Sequence, residues 1–180
     1  MLEIIAIIAV VLVIAIAVVL ILASMRPDSF TVRRSAVMQA PAERIFPWIN
    51  DFQQWTKWSP WENRDPAMKC SFGGPESGKG AIYAWDGNRN VGSGRMEILD
   101  ASPPSKIVIK LDFFKPFEAH NTAEFTFAPE RDASATSVIW VMQGPSSFMS
   151  KVMQVFMNFD AMIGRDFESG LANLKRLAEQ

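Results

Sequence analysis

The sequence predicts an α+β domain in which a curved antiparallel sheet of about six to seven strands surrounds one long C-terminal helix. Residues 68–143 contain short segments in which apolar and polar side chains alternate between clusters of turn-forming residues. Residues 156–177 carry apolar side chains at the three- and four-residue spacing of an amphipathic helix. The N-terminal segment is different, because it is apolar without interruption. We therefore expect a membrane helix followed by one sheet-and-helix domain.

The apolar run "IIAIIAVVLVIAIAVVLILA" covers residues 4–23, and about 20 apolar residues are enough for a helix to cross a bilayer. A cleaved signal peptide would have a basic start, a shorter apolar stretch and small residues at the cleavage site. Here Glu3 precedes the run, and Leu22 stands where a small residue is needed. The run therefore predicts a transmembrane anchor rather than a signal peptide.

The cations that flank this run predict its orientation. Arg26, Arg33 and Arg34 follow it, whereas only the α-amino group precedes it. Because cytoplasmic flanks carry the excess of Lys and Arg, the C-terminal domain is expected on the cytoplasmic side of a single-pass protein. The predicted organisation is an anchor over residues 1–25, a linker over 26–29 and a folded domain over 30–180.

Composition excludes several classes of protein. The formal net charge is -1 and the chain has no Lys/Arg-rich run, so a nucleic-acid partner is not expected. Cys70 is the single cysteine and His120 the single histidine, which excludes an internal disulfide and a His/Cys metal cluster. We therefore expect neither a metal ion nor another cofactor. The sequence does not specify an oligomeric state.

The domain begins with a strand and two short helices. "FTVRRSAVM", residues 30–38, alternates as a strand does. "APAERIF" then begins a helix, with Pro41 in the tolerated first turn and Glu43 near the positive end of the helix dipole. Proline costs a helix interior about 3 kcal/mol, so we expect a break or kink at Pro47. A second short helix is expected over residues 51–55.

The following strands each place their large apolar side chains at one parity, so one face of the sheet is apolar and aromatic. The separating turn clusters are residues 73–78, 86–90, 102–105, 115–117 and 129–133. The side chains expected on the inner face are Ala81, Tyr83, Trp85, Met96, Ile98, Ile107, Ile109, Leu111, Phe113, Ala123, Phe125, Phe127, Val138, Trp140 and Met142.

The C-terminal segment is expected to cover this face. Its apolar stripe comprises Phe156, Phe159, Ile163, Phe167, Leu171, Leu174 and Leu177. Upstream, Met149, Met153 and Met157 are spaced by four residues. The pattern therefore predicts a helix that begins near Pro145 and bends around Asn158.

Four segments resemble one family in the expected order: "VRRSAVMQAPAERIFPWINDFQQWTKWSPW", "GKGAIYAWDGNRNVGSGRMEI", "TSVIWVMQG" and "FESGLANLKRLAE". They are similar to the polyketide cyclase/dehydrase-like branch of the START-related SRPBCC superfamily. The resemblance covers residues 30–180 and leaves out the anchor. It implies the helix-grip fold, with a hydrophobic cavity between sheet and long helix that holds lipids, sterols, polyketides or other apolar ligands.

The favoured hypothesis is a membrane-tethered domain that binds an apolar small molecule or lipid in this cavity. For each candidate side chain, ordinary core packing is the alternative. Among the three clustered tryptophans, we expect Trp55 in the core and Trp58 at the rim of the cavity; core packing of all three, or contact of exposed indoles with a membrane, are the alternatives. The predicted ligand-binding residues are Trp58, Tyr83, Trp85, Met96, Ile98, Leu111, Phe113, Phe125, Trp140, Met142, Met153, Phe159 and Ile163.

Two other classes remain open: a cyclase- or dehydrase-like enzyme and a membrane-anchored interaction or structural protein. "GGPESGKG" resembles a P-loop, but Gly80 replaces the required Ser/Thr and a strand is expected to follow. His120 has outward parity, and no nucleophile is placed beside it, so no catalytic residue is assigned. Tyr83 and Arg34 have inward parity and could hydrogen-bond a carbonyl or acidic group, although Tyr83 is more simply expected to bond the backbone.

Overall fold

A computed structural model describes residues 1–131 and 134–180, with the side chain of Leu2 left out. A seven-stranded antiparallel sheet packs against a long C-terminal helix, which confirms the predicted α+β class. The predicted turn over residues 129–133 lies partly outside the described residues. The elements are α1 (Leu2–Ser24), β1 (Ser29–Met38), α2 (Ala42–Asn50), a 3-10 helix (Phe52–Lys57), β2 (Lys69–Gly73), β3 (Ile82–Asp86), β4 (Ser93–Ser102), β5 (Lys106–Lys115), β6 (Ala119–Pro129), β7 (Thr136–Pro145), α3 (Phe148–Phe156) and α4 (Phe159–Ala178).

The strand order is β1-β7-β6-β5-β4-β3-β2, so the first strand pairs with the last. The predicted parity is confirmed, because Ile98, Ile109 and Phe125 are each fully buried on the inner face. Register shifts in β4, between Ser93 and Gly94 and between Ile98 and Asp100, are irregularities of the kind that bend a strand. The sheet therefore presents one apolar inner face.

Helix α4 covers the side of this face that contains β1. Its end is fixed to β1 by the Lys175 ammonium, which donates to the carbonyl oxygen of Val37 at 2.9 Å. The large side chains that α4 buries belong to the predicted apolar stripe, and Ala178 is buried beside them. These large side chains include Phe167, Leu171 and Leu174.

Arg34 on β1 holds α4 against the sheet through a set of hydrogen bonds that we call the Arg34 clasp. Its Nε donates to Glu168 at 2.7 Å, and its Nη2 donates to the carboxylate of Asp160 at 3.0 Å and to the Asp160 carbonyl oxygen at 3.0 Å. A Cβ atom at Gly164 would lie 1.9 Å from Arg34 Nη2. The glycine therefore leaves the space that the guanidinium occupies under the helix.

Of the predicted break or kink at Pro47, the break does not occur, because α2 continues through this residue to Asn50, and the kink stays a prediction. Proline removes one helix hydrogen bond, but only about one turn follows it. That turn is held by packing, since Ile45, Phe46 and Ile49 are buried in the core. The second short helix is confirmed as the 3-10 helix, which Asp51 caps by accepting from the backbone N–H of Gln53 at 2.8 Å.

The predicted change of direction lies at Asn158, but the chain forms two separate helices there rather than one bent helix. The side chain of Asn158 accepts from the N–H of Ala161 at 3.0 Å and begins α4, while α3 is a separate helix. Helix α3 begins at Phe148 rather than near Pro145, because Ser147 caps it by accepting from the N–H of Ser150 at 3.2 Å. Helix α3 packs against α1.

Helix α1 is exposed along most of its length. The segment Glu3–Ser24 has a mean hydropathy of 3.7, and Ala23 in its last turn is buried. By length and composition α1 is a candidate membrane span, and the same properties fit a signal sequence.

Gly164→Ala tests the Arg34 clasp. Alanine normally favours a helix over glycine by about 1 kcal/mol, but here the added methyl group collides with the guanidinium. We expect the free energy of unfolding to fall by about 1–3 kcal/mol, as overpacking does. Denaturant unfolding of the full-length chain in detergent measures this change.

Ser169→Ala, on an exposed position of the same helix, is the control and should leave stability nearly unchanged. A more stable Gly164→Ala variant would mean that helix propensity outweighs the clasp.

Candidate functional site

Aromatic side chains fill the space between the middle of the sheet and α4. The ring of Trp140 on β7 stacks on Phe167 of α4 with a centroid distance of 3.9 Å and an angle of 4°. On the sheet side, Phe125 stacks on Trp140 at 4.7 Å. The 3-10 helix and the connection after it add the remaining rings. We call these residues the aromatic cluster: Trp55, Trp58, Trp61, Phe125, Trp140 and Phe167.

The expectation that Trp58 rims a cavity is wrong. Trp58 is only 1% exposed, and its Nε1 donates to the carbonyl oxygen of Trp48 at 2.9 Å. The Asn173 side chain of α4 donates to the Trp58 carbonyl oxygen at 3.1 Å, which holds the connection under the helix. Trp55 lies in the core, as expected, and donates from Nε1 to the Ile49 carbonyl oxygen at 3.0 Å. Trp61 is the half-buried member of the three.

The indole N–H of Trp140 has no hydrogen-bond partner among the described residues, although the side chain is only 3% exposed. A buried donor without a partner carries a desolvation cost of about 1–3 kcal/mol. The aromatic cluster thus contains one polar group that the protein itself does not satisfy.

The inner face is not covered completely. Trp85 on β3 and Leu111 and Phe113 on β5 point inward but remain partly exposed, and we call this region the open end. The rings of Trp85 and Phe113 meet edge to face at 5.7 Å. Gly94 on β4 permits this arrangement, because a Cβ atom there would lie 2.5 Å from the Trp85 ring.

The predicted ligand-binding residues divide into two groups. Seven lie in the core at no more than 7% exposure: Trp58, Tyr83, Met96, Ile98, Phe125, Trp140 and Met142. Six are half-buried at the open end or on the adjoining helices: Trp85, Leu111, Phe113, Met153, Phe159 and Ile163. Contact of either group with a ligand stays a prediction.

Tyr83 has side-chain partners rather than the backbone partner that we expected. Its hydroxyl donates to the Glu62 carboxylate at 2.8 Å and lies 3.1 Å from the Cys70 sulfur. Burial raises the pKa of Tyr83, and burial likewise raises the pKa of Glu62. Sequence reasoning missed Glu62 and Cys70, because Glu62 lies in an irregular loop whose position no periodic pattern indicates.

Arg34 points inward, as its parity predicted, but its donors are engaged within the protein. Hydrogen bonding to Asp160 raises the pKa of the guanidinium, and the same contact lowers the pKa of the Asp160 carboxyl group. Arg34 therefore stabilises the contact between sheet and helix, and its predicted availability to a ligand's acidic group is not seen.

Two clefts lie where the β2–β3 turn approaches α2 and the 3-10 helix. One has a volume of about 480 Å³ and is lined by Phe46, Pro47, Trp48, Asn50, Asp51, Gln54, Glu76 and Ser77. The other has a volume of about 340 Å³ and is lined by Phe52, Gln53, Phe72, Gly73, Gly74, Pro75, Glu76, Ala81 and Ile82. Neither of these clefts lies between the sheet and α4.

The two apparent catalytic signatures have structural explanations. The glycine-rich segment is the turn between β2 and β3, with positive φ angles at Gly74, Gly78 and Gly80, and a strand follows it as predicted. His120 lies on the exposed face, where its Nδ1 is 2.7 Å from the Asp112 carboxylate, and this hydrogen bond raises the pKa of His120.

Residues 29–179 match the protein family described as polyketide cyclase/dehydrase and lipid transport. The chain belongs to this family, a branch of the SRPBCC superfamily. The match begins at the first strand and reaches the end of α4, so it leaves out α1. A search of curated protein sequences found no match.

Several solved structures share the fold. A Chromobacterium violaceum protein aligns with a TM-score of 0.59 at 17% identity, covering 83% of this chain and 97% of its own. One half of the di-domain ARO/CYC BexL from the BE-7585A biosynthetic pathway aligns with a TM-score of 0.63 at 14% identity, covering 88% of this chain and 53% of BexL. Aha1 from Colwellia psychrerythraea aligns at 0.59 and 14% identity, covering 83% and 96%. At these identities the likeness shows the fold alone.

Asp160→Asn tests the electrostatic part of the clasp through its pH dependence. Since the folded-state pKa of Asp160 is lowered, the ion pair stabilises the protein above the ordinary carboxyl pKa of about 3.9. This stabilisation is lost as the pH falls through the folded-state pKa. We expect the difference in Tm between the wild type and Asp160→Asn to be largest near pH 6 and to shrink as the pH falls below about 4.

In an Arg34→Gln background, Asp160→Asn should have little effect at any pH, because the partner charge is absent. A difference in Tm of the same size at both ends of the pH range would contradict the role of the Asp160 charge.

Proposed function

We propose that this chain binds an apolar small molecule or lipid on the inner face of its sheet, at the open end, while α1 holds the domain at a membrane. Membership of a family described by polyketide cyclisation and lipid transport supports the hydrophobic ligand class. The observation that carries the proposal is the partial exposure of Trp85, Leu111 and Phe113 on a face whose central side chains, Ile98, Ile109 and Phe125, are fully buried.

The open end has the chemistry of a hydrophobic site. Aromatic and aliphatic side chains line it. Burying one side chain of this size contributes about 1.5–3 kcal/mol, so an apolar ligand that covers several of them gains affinity. Met153 on α3, whose thioether chain is flexible, and Phe159 and Ile163 on α4 are half-buried as well, and their contact with the ligand stays a prediction.

The indole N–H of Trp140 supports a ligand that carries at least one acceptor. Its lack of a partner makes it the group that a carbonyl or hydroxyl oxygen would satisfy. To reach it, a ligand must displace part of the aromatic cluster, and Trp61 is the half-buried ring that lies against Trp140, with centroids 5.8 Å apart. Trp140 pairs with Phe125 and Phe125 pairs with Ile107, whereas Leu111 and Phe113 lie four and six residues farther along β5. A ligand that combines the two features would therefore be an elongated amphipathic molecule with an apolar body and one polar group.

Helix α1 supports a membrane location for this binding. A spanning helix is an effectively irreversible anchor, and only residues 25–28 separate α1 from β1. The exposed cations Arg26 and Arg33 after the span favour a cytoplasmic domain. A ligand could then pass between the bilayer and the inner face without crossing water.

The ligand-binding proposal is tested with a diazirine-bearing fatty acid as the probe. After irradiation of membranes that contain the full-length chain, we expect covalent adducts on the β3 and β5 peptides that carry Trp85, Leu111 and Phe113. Leu111→Trp should reduce these adducts several-fold, because the larger ring occupies the open end. Val108→Trp, on the opposite face of β5, is the matched control and should leave labelling unchanged.

Adducts found on α1 and α3 but absent from β3 and β5 would contradict ligand binding at the open end.

The anchor is tested by alkaline extraction of membranes that contain the full-length chain. We expect the protein to stay in the pellet, and protease added outside sealed cells to leave the domain intact. Leu12→Arg together with Ile16→Arg should release it, since each arginine at the helix centre costs about 2.5–3.5 kcal/mol. A mature chain that begins near Ala23 would identify α1 as a cleaved signal sequence instead.

A further inference from the structure

The strand register places several chain connections at the end of the sheet where α1 is attached. Phe30, near the start of β1, pairs with Gly144, near the end of β7. On the neighbouring strands, Phe113 near the end of β5 pairs with Ala119 at the start of β6. The start of β1, the end of β7 and the β5–β6 turn therefore lie at the same end of the sheet, which we call the anchor-proximal end.

Large hydrophobic side chains are exposed at this end. Phe114 and Phe117 flank the β5–β6 turn at 53% and 60% exposure, and Phe148 and Met149 begin α3 at 55% and 58%. We call these four residues the apolar rim. The β5–β6 turn and the end of β7 are separated by no more than two strand spacings, roughly 10 Å. Exposed apolar side chains that gather at one end of a domain are typical of a surface that contacts another protein or a membrane.

The linker after α1 holds the anchor against the rim. The N–H of Ser146 donates to the carbonyl oxygen of Asp28 at 2.7 Å, and the Lys151 ammonium pairs with the Asp28 carboxylate. Both partners lie beside Phe148, at the β7–α3 connection and on α3. Because α1 also packs against α3, the anchor cannot swing freely away from this end of the domain.

The continuity between α1 and the rim identifies the covering body as a lipid surface. A bilayer that contains α1 must meet the domain where the linker leaves it, which is at the rim. Lys115 and Glu118 lie beside the rim phenylalanines and carry opposite charges, so burial of apolar surface rather than attraction to anionic lipids is expected to dominate.

We propose that the apolar rim inserts into the interfacial layer of the bilayer that holds α1, so that the open end of the inner face lies against lipid. The proposal rests on the proposed anchor but requires no ligand. Trp85, Leu111 and Phe113 lie toward this same end, since Trp85 pairs with Gly94 and Gly94 pairs with Phe113. The docked orientation thus directs the open end toward the membrane.

The opposite end of the sheet provides internal controls. Val37, the second-to-last residue of β1, and Leu99, beyond the midpoint of β4, are exposed at 40% and 41%. Both are apolar and lie away from the rim. If exposure alone drew side chains into lipid, these positions would behave as the rim does.

The experiment places one environment-sensitive fluorophore at a time on the full-length chain in phosphatidylcholine liposomes. Cys70→Ser removes the natural thiol and keeps a hydroxyl beside Tyr83. Single cysteines then replace Phe117, Phe148, Val37 or Leu99. We expect lipid-borne nitroxide to quench the two rim labels several-fold more than the two control labels, and aqueous iodide to quench them several-fold less.

Rim labels that iodide quenches as strongly as the Leu99 label would overturn the proposal, since the rim would then face water. Rim labels that neither quencher reaches would overturn it as well, because a second copy or another protein would then cover the surface. Tryptophan emission from the aromatic cluster verifies folding of each variant. Alkaline extraction of the same liposomes shows whether α1 still anchors the protein, which separates loss of the anchor from loss of rim insertion. Quenching of the labels does not depend on whether the chain binds the fatty-acid probe.

Discussion

The width of the sheet sets the constraint on which the rest of this structure depends. Seven strands at about 4.8 Å spacing present an inner face roughly 30 Å wide, whereas a helix with its side chains is only about 10 Å across. Helix α4 therefore covers the side of the sheet that contains β1, and other groups must cover the remainder. The tryptophans after α2 serve this purpose, because their large rings extend from a short connection and fill the space beside α4.

The cover is held firmly on one side and is incomplete on the other. The Arg34 clasp and the stack of Trp140 on Phe167 fix α4 over β1 and β7. An ion pair between Arg64 and Asp166 ties the tryptophan connection to the same helix. On β3 to β5 the side chains of Trp85, Leu111 and Phe113 stay partly exposed, and α1 joins the domain at that same end of the sheet. Access to the inner face and attachment to the membrane therefore coincide in space.

Local periodicity made most of the fold predictable. Alternation with a period of two assigned the inner and outer faces of the strands, and a period of 3.6 assigned the buried stripe of α4. Periodicity predicted one helix that bends around Asn158, whereas the structure has two helices and the Asn158 side chain caps the start of the second. For the candidate site, the sequence predicted only which face of the sheet its side chains occupy. Parity placed Trp85 and Leu111 on the inner face without indicating that they would be more exposed than Phe125.

The sequence by itself determined which side chains share a face, where the C-terminal helical segment departs from a straight helix and that the first segment is apolar enough to span a bilayer. The tertiary structure decided that Trp58 is buried, that α2 continues past Pro47, that Arg34 binds Asp160 and that Tyr83 bonds Glu62. These outcomes depend on contacts between residues that are distant along the chain. Periodicity reports only how each segment is oriented about its own axis, whereas such contacts depend on how the segments pack together.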